Sequence, residues 1–400
     1  MKLKSLLVGA LLLATGTMFA QDTVRNKEGG NYLFTIEHDI EATDIKNQYR
    51  SGTCWSFSTL SFFESELDRM GKGDYDLSEM FVVRNVYSDK AEKYVRMHGN
   101  LNFGPGGAFH DVTYVMKHYG MVPESVYSGL NYGTEKHIHG ELDKVMKSMV
   151  DAVIKNPNGE LSTAWHNAFD NALDSYLGQI PEEFEYNGET YTPQSYMDEL
   201  GINPDDYVEL SSYTHHPFYE KFVLEVPDNW LGGEVYNVPM EDLIKVMDNS
   251  LENDYGVAWA ADVSEKGFSF RDGLAIVPEN EDAIQKKGSD NENFSDAGAE
   301  KIGNQFMSPG DEKEITQEMR QKAFDNYETT DDHGMHITGI AKDQNGTKYY
   351  LVKNSWGTGF TEMHDGYFFA SEAYVKYKTM DIMVHKDAIP KKLRKKLGIK

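Results

Sequence analysis

The 400-residue sequence has a single cysteine, Cys54, and far fewer basic than acidic residues, 39 against 65. One cysteine cannot form an intramolecular disulfide framework. The formal net charge of −26 argues against a nucleic-acid partner, because nucleic-acid-binding proteins concentrate positive charge. After residue 20, no apolar run approaches the roughly 20 residues that a membrane-spanning helix needs. The sequence therefore predicts neither a nucleic-acid nor a membrane partner for the mature chain.

The first twenty residues have the layout of a secretory signal peptide. Lys2 and Lys4 precede the apolar run 6–13, and a short segment ending at Ala20 follows. A basic, an apolar and a cleavage region in this order are typical of segments that are removed during export. We expect a signal peptide at residues 1–20 and a periplasmic or secreted mature protein.

The lone thiol of an exported protein is at risk of oxidation, so its neighbours must decide between a reactive group and a buried inert side chain. Phe57, Leu60, Phe63 and Leu67 follow Cys54 at helical spacing, which predicts a buried helix that begins at Cys54. The N–H groups and the positive dipole end of a helix N-terminus stabilise a thiolate. Cys54 is therefore the candidate nucleophile.

Gln48 lies six residues before Cys54 and can direct its side-chain amide towards the same point. Together with the backbone N–H of Cys54, it would form an oxyanion hole for a tetrahedral intermediate. On this spacing alone, an amide in a surface loop remains the simpler interpretation of Gln48.

A candidate base lies far downstream. Residues 332–340 are predicted to form a strand, Asn345 begins a hairpin turn, and residues 349–354 form the returning strand. The antiparallel return brings Asn354 beside the histidines of the first strand. Its amide can accept a hydrogen bond from one imidazole nitrogen and leave the other nitrogen to face a thiol. Trp356 could cover that bond and keep water away from it.

Two histidines of the first strand compete for the role of base. Side chains alternate along a strand, so His333 and His336 point to opposite faces and only one can face Cys54. The same alternation argues against a metal site, and the sequence has no His-Glu-x-x-His helix. We expect no metal and no cofactor. His215 and His216 are expected to be solvated loop residues.

Taken in order, these motifs resemble those of the papain-like cysteine peptidases, and within them the bleomycin hydrolase and aminopeptidase C branch. The matching segments, within about residues 44–390, are Gln48 with Cys54-Trp55, Leu77-Ser78-Glu79, Gly106-Gly107, Asp332-His333 and Asn354-Ser355-Trp356-Gly357. The resemblance implies an α+β fold with two lobes, one helical and one made of antiparallel strands. It also implies one peptidase domain over residues 21–400, with a large insertion at about 128–329.

The resemblance also implies a role for each matching position. The positions that match catalytic residues of the family are Cys54, His333 and Asn354. The positions that match its oxyanion-hole and substrate-binding residues are Gln48, Gly106, Gly107 and Trp356. The family's histidine precedes a glycine by six residues, and this selects His333, six residues before Gly339, over His336. The two glycines would pair through their backbone with an extended peptide substrate.

The expected function is that of a cysteine peptidase acting on peptides, an exported aminopeptidase of the bleomycin hydrolase type. Ser51, in place of a papain disulfide cysteine, favours this branch. Its members carry an N-terminal hook that helps to assemble a hexameric homo-oligomer, and a C-terminal arm that restricts cleavage to amino termini. The short segments before Cys54 and after Pro390 do not match these arms, so the hexamer is in doubt, and an endopeptidase or a dipeptide-releasing enzyme is an open alternative. The intact Cys, His and Asn positions disfavour a catalytically silent peptide-binding protein.

Overall fold

The computed structural model describes residues 23–156, 159–290, 299–359 and 365–400, so the predicted signal peptide lies outside the described residues. The helices within these ranges are α1 (Cys54–Arg69), α2 (Glu79–Arg96), α3 (Phe109–His118), α4 (Gly140–Ile154), α5 (Trp165–Leu177), α6 (Pro193–Leu200), α7 (Met240–Leu251), α8 (Gln317–Asp325), α9 (Glu372–Lys378) and α10 (Lys391–Leu397). The strands are β1 (Thr23–Arg25), β2 (Leu33–Asp39), β3 (Phe184–Tyr186), β4 (Glu189–Tyr191), β5 (Tyr207–Ser211), β6 (Lys221–Val223), β7 (Glu234–Asn237), β8 (Val257–Ala261), β9 (Phe268–Ser269), β10 (Leu274–Ala275), β11 (Gln285–Asp290), β12 (Ala299–Ile302), β13 (His333–Lys342), β14 (Lys348–Lys353), β15 (Tyr367–Ser371) and β16 (Thr379–His385).

Among the described residues, one sheet of twelve strands forms the strand-rich half. Its main path runs β6-β7-β5-β16-β8-β13-β14-β15-β10-β9, and β2 joins it through β13. The pairs β5 with β7 and β10 with β15 are parallel, whereas β13 is antiparallel to β8, β14 and β2. The strand that begins at His333 therefore lies in the interior of the sheet, where neighbours on both sides fix its position.

The helical half is built around α1, which begins at Cys54 as the apolar spacing predicts. Leu60, Phe63 and Leu67 are fully buried in a core that α1 shares with α2 to α6. Side chains three and four residues apart lie on one helical face, so this spacing gives α1 a continuous apolar surface. Burial of each such side chain contributes about 1.5–3 kcal/mol to folding. The packing of α1 thus fixes the position of its first residue.

The two halves meet where β13 crosses the beginning of α1. Gly334 makes this close approach feasible, because a Cβ at this position would lie 3.3 Å from the Cα of Trp55 and 2.7 Å from Oγ of Ser58. A larger residue would push the strand away from the helix. The glycine thereby brings its neighbour His333 close to the N-terminus of α1.

The segment that the sequence predicts as an insertion, about residues 128–329, contributes to both halves. Its helices α4 and α5 pack on α2 and on each other, and its strand β8 lies between β13 and β16 in the large sheet. At the end of the chain, Leu393 and Leu397 of α10 are buried in the core of the strand-rich half. Within the described ranges, no helix has both the length and the apolarity needed to span a bilayer.

Candidate active site

Cys54 is the first residue of α1 and lines a cavity of about 560 Å³. The preceding residue, Thr53, makes no side-chain cap, and the first turn of the helix contains no acidic residue. The positive end of the helix dipole therefore acts on the thiol of Cys54, which favours the thiolate. Cys54 is 9% exposed, so its sulfur is shielded from bulk solvent but borders the cavity.

The loop before α1 places Gln48 against the segment that follows β14. The backbone N–H of Gln48 donates to the carbonyl of Ser355 at 2.8 Å, and Oγ of Ser355 donates to Oε1 of Gln48 at 2.6 Å. These two bonds fix the amide with its NH₂ end directed away from Ser355. Left-handed φ angles at Tyr49 and Gly52 then turn the chain towards Cys54. The surface-loop interpretation does not fit the complete burial of Gln48. Gln48 is not among the described residues that line the cavity of Cys54, so its role as an oxyanion-hole donor stays a prediction.

A partly buried lysine anchors the start of the same loop. The ammonium of Lys46 lies 3.0 Å from Glu64 and 2.7 Å from Glu79, and it donates to the carbonyl of Leu77 at 3.1 Å. Burial raises the pKa of Glu79 to about 7, against the lowering effect of Lys46. Removal of the lysine would leave two buried carboxyls without their cation.

His333 and Asn354 come together as the predicted hairpin requires. Nε2 of His333 donates to Oδ1 of Asn354 at 2.8 Å, and the backbone N–H of Ser355 donates to the same oxygen at 2.8 Å. The ring of Trp356 stacks on the imidazole, with centroids 4.6 Å apart and an interplanar angle of 29°. Since Nε2 is engaged by Asn354, Nδ1 is the nitrogen that can exchange a proton with a thiol. His333 and Cys54 line the same cavity.

The second histidine of β13 lies in a different environment. His336 is fully buried, and its Nδ1 is 3.1 Å from Oγ of Ser61 on α1. Burial, together with the charge of Lys353, holds the pKa of His336 well below its usual range. This ring is neutral at physiological pH and does not line the cavity of Cys54. Of the two histidines, only His333 shares a cavity with the thiol.

The segment 102–108 forms a wall of the cavity. The buried ammonium of Lys90 donates to the carbonyls of Gly104 and Gly106, and the indole of Trp55 donates to the carbonyl of Pro105 at 3.0 Å. These bonds hold the wall beside the beginning of α1.

Both glycines predicted to contact substrate lie in this wall. A Cβ at Gly106 would lie 1.8 Å from Oδ2 of Asp228, and one at Gly107 would lie 2.8 Å from the ring of Trp55. A side chain at Gly107 would have to displace the buried ring of Trp55, and one at Gly106 would displace the carboxylate of Asp228. The backbone of Gly106 and Gly107 therefore borders the space that a peptide would occupy.

Trp356 packs against His333 in the interior, and its contact with substrate stays a prediction. The residue is 0% exposed and is absent from the lining of the cavity within the described chain. One face of its ring covers His333, and Phe270 packs edge-on with a centroid distance of 5.1 Å. It supports the His333 to Asn354 bond by excluding water, which is the other role that its position in the sequence predicts.

One end of the cavity is acidic. The lining carboxyls are Glu209, Asp228, Asp331, Asp332 and Asp381, and the described lining contains no lysine or arginine. His110 is the nearby base, and its Nδ1 lies 3.0 Å from Glu209. Burial lowers the pKa of His110, but the adjacent carboxylate outweighs this effect and raises the pKa to about 9.

The histidine pair of the loop 212–217 lies away from the cavity. Nε2 of His215 and Nε2 of His216 are 3.0 and 2.7 Å from the carboxylate of Glu225. Their atoms approach closely enough to hold an ion. The contacts are equally those of two ordinary ion pairs at the protein surface.

Known proteins with similar sequences or folds are cysteine peptidases and aminopeptidases. Residues 312–399, which include His333 and Asn354, match the Peptidase C1-like family. Aminopeptidase C of Listeria monocytogenes is 22% identical, with 96% of this chain and 89% of the relative covered. Aminopeptidase C of Lactococcus lactis subsp. cremoris is 23% identical over 92% of this chain and 86% of its own. The crystal structure of PepW from Lactobacillus rhamnosis superposes with a TM-score of 0.67 at 18% identity, covering 91% of this chain and 84% of that one.

The fold is that of a papain-like cysteine peptidase. The resemblance predicted from the motifs is confirmed, as are the α+β fold class and the prediction of a cysteine-type peptidase. The similarity to the aminopeptidases extends over nearly the whole chain, well beyond the segment that the family model matches.

Sequence reasoning did not identify four side chains that shape the cavity: Lys90, His110, Glu209 and Asp381. They come from α2, α3, β5 and β16, and no motif links them in the sequence. The one available signal was local, a charged residue within an otherwise apolar strand. Asp381 in Thr379–His385 is such a residue, yet the same pattern also fits a strand with one solvated face.

Proposed function

We propose that this protein is an exported cysteine aminopeptidase that hydrolyses peptide bonds through Cys54, His333 and Asn354. The observation that carries the proposal is one cavity lined both by the thiol at the beginning of α1 and by an imidazole whose far nitrogen bonds to an amide. The similarity to aminopeptidases C supports the same reaction class.

The proposed reaction is acyl transfer through a thioester. The thiolate of Cys54 attacks the carbonyl carbon of the peptide, and the oxyanion accepts hydrogen bonds from the backbone N–H of Cys54 and the amide of Gln48. Nδ1 of His333 donates its proton to the leaving amine as the carbon–nitrogen bond breaks. A water molecule, deprotonated by the now neutral imidazole, then attacks the thioester and releases the acid and the thiol.

Asn354 acts on the orientation of the base. By accepting from Nε2, it keeps the ring in the position from which Nδ1 faces the cavity, and Trp356 shields this bond. The amide is neutral, so it does not compete with the thiolate for the charge of the imidazolium. An acidic residue in this place is typical of transglutaminase-like acyl transfer, and the position of Asn354 favours hydrolysis of peptides.

The decisive experiment combines hydrolysis with labelling. Purified protein is assayed on aminoacyl fluorogenic substrates and treated with an epoxide that traps active-site thiolates. We expect hydrolysis and a single label on Cys54, both absent from Cys54→Ala protein that keeps its thermal unfolding profile. Hydrolysis by the Cys54→Ala variant would refute the mechanism, and a protein that neither hydrolyses nor takes the label would be a silent peptide binder.

Amino-terminal specificity needs a separate comparison. The lining of the cavity extends no further along the described chain than Asp381, and α10 packs into the opposite core. Digests of one peptide with a free and with an acetylated amino terminus, analysed by mass spectrometry, distinguish the modes. Loss of cleavage on acetylation supports the aminopeptidase, whereas internal cleavage of both peptides supports the alternative of an endopeptidase.

The amino-terminal residue of the recovered protein tests whether it is exported. If residues 1–20 are a signal peptide, the protein recovered from outside the cytoplasm begins at Gln21. Amino-terminal sequencing of fractionated cells checks this. A chain that keeps Met1 and stays in the cytoplasm would refute it.

A further inference from the structure

The acidic end of the cavity contains a carboxyl that the proposed reaction does not use. Asp381 of β16 is only 6% exposed and lines the cavity. Its polar neighbour is another carboxyl, that of Glu209, which is 7% exposed. Two buried carboxyls in contact cannot both ionise without a compensating cation, and they share a proton when no cation is present.

The surroundings of Asp381 contain more acid than base. His110 contacts Glu209 and supplies one positive charge, while Asp331 and Asp332 add two further carboxyls from the segment before β13. Burial and the neighbouring Asp228 and Asp332 raise the pKa of Asp331 to about 7. Burial and Glu209 raise the pKa of Asp381 well above its usual range. These carboxyls repel one another, and a cation entering the cavity would relieve that repulsion.

The register of the sheet places Asp381 within reach of a bound substrate. Gly334, the neighbour of His333, pairs with Ala260, and Ala260 pairs with Asp381 on the next strand. Because adjacent strands are about 4.8 Å apart, Asp381 lies roughly 10 Å across the sheet from Gly334. A peptide residue spans about 3.5 Å, so a lysine side chain or an amino terminus one or two residues away covers this distance.

The part of the cavity lining between these points is apolar. Ala260 presents only a methyl group, and Leu224, Val226 and Val235 line the same cavity. An alkyl chain can lie along such a surface while its charged end reaches the carboxyls. The arrangement fits a group that is apolar along its length and cationic at its tip.

We propose that the carboxyls of Asp381 and Glu209 bind a positively charged group of the peptide substrate and make the enzyme selective for it. The group is an ammonium or a guanidinium, supplied by a free amino terminus or by a lysine or arginine side chain near the scissile bond. The inference rests on the proposed function, because it assigns a specificity to the same cavity. Asp381 and Glu209 are specificity residues and take no part in the bond-breaking steps.

The test uses four fluorogenic substrates of equal length. The Leu substrate with a free amino terminus carries one cation, the acetyl-Leu substrate carries none, and the acetyl-Lys and acetyl-Arg substrates carry one on the side chain. The proposal predicts that at least one cationic class exceeds acetyl-Leu in kcat/KM by about tenfold or more, since a charged hydrogen bond of this kind contributes about 1.5–3 kcal/mol. Comparison of the classes identifies whether the amino terminus or the side chain is bound.

Variants then separate recognition from structural support. Asp381→Asn, or Glu209→Gln if the first variant does not fold, should lower kcat/KM of the preferred cationic substrate about tenfold and leave acetyl-Leu unchanged. Glu252→Gln, which removes a charge from the exposed end of α7, is the matched control and should change neither value. Equal loss on cationic and neutral substrates, or no charge preference in the wild type, would overturn the proposal.

A binding measurement keeps this test independent of catalysis. The Cys54→Ala protein is titrated with the same four peptides, and the dissociation constants are determined by calorimetry. Tighter binding of a cationic peptide that disappears in Cys54→Ala/Asp381→Asn supports the acidic site even if the wild type hydrolyses nothing, in which case only the proposed function fails. If all four peptides bind with equal affinity while the wild type hydrolyses its substrates, the acidic site is refuted and the proposed function stands.

Discussion

The two histidines of β13 provide a matched pair of substitutions, because both are buried on one strand but only one lines the cavity. Loss of a general acid and base costs about 10²–10⁴ in rate, so His333→Ala should lower kcat/KM by roughly a thousandfold. His336→Ala removes one hydrogen bond to Ser61 and leaves a space beside Gly256, where the ring now packs. Together these losses should cost about 2–4 kcal/mol of unfolding free energy.

The assay measures hydrolysis and stability on the same preparations. Activity is normalised to folded protein, and urea unfolding supplies the free energies. We expect the folded His336→Ala protein to retain kcat/KM within about threefold, since its neutral ring takes no part in proton transfer. His333→Ala should lose a similar amount of stability, because it also removes a buried hydrogen bond and a ring contact, but it alone should lose activity in the folded protein. A ranking in the opposite order would refute the assignment of the base.

The other predictions concern the cavity wall and the buried charges. Gly106→Ala should raise KM by about tenfold, because its Cβ would displace the Asp228 carboxylate, 1.8 Å away, which lines the cavity. Gly104→Ala, with no atom closer than 3.8 Å, should keep KM within about twofold, and similar KM values for both variants would contradict this. Lys46→Met should lower the unfolding free energy in urea by about 3–5 kcal/mol, because two buried glutamates lose their cation. An unchanged urea midpoint would contradict this prediction. The pKa of Asp331 is raised to about 7, so its burial destabilises the fold as pH rises from about 4 to 7. Asp331→Asn should therefore raise Tm at pH 8 but not at pH 4. Equal changes in Tm at both pH values would contradict this cost of ionising Asp331.

Local patterns in the sequence predicted the elements that carry the site. The helical spacing after Cys54 and the hairpin at Asn345 correspond to α1, β13 and β14 within a few residues. These predictions succeed because each depends on a short segment, where the period of apolar side chains determines the structure. The antiparallel return of the hairpin also predicts the approach of Asn354 to His333, and Oδ1 of Asn354 lies 2.8 Å from Nε2 of His333.

Residues that meet through long-range packing could not be predicted in this way. The pairing of Gln48 with Ser355 joins chain segments separated by about three quarters of the sequence. The acidic end of the cavity combines residues of β5 and β16, and their proximity depends on the order of strands in the sheet. The complete burial of Trp356 also depends on long-range packing, because Phe270, which contacts its ring, comes from a distant part of the chain.

The proposed mechanism requires that Cys54 be a thiolate at neutral pH, stabilised by the helix N-terminus and by His333. Since Cys54 is the sole cysteine, alkylation by iodoacetamide reports on it alone. An unperturbed thiol, with a pKa of about 8.5, reacts roughly 80-fold faster at pH 8 than at pH 6. We predict less than about a threefold difference for the wild type and a return of the steep dependence in His333→Ala. A wild-type alkylation rate that falls about 80-fold between pH 8 and pH 6 would show that Cys54 is an ordinary thiol and would refute the proposed thiolate.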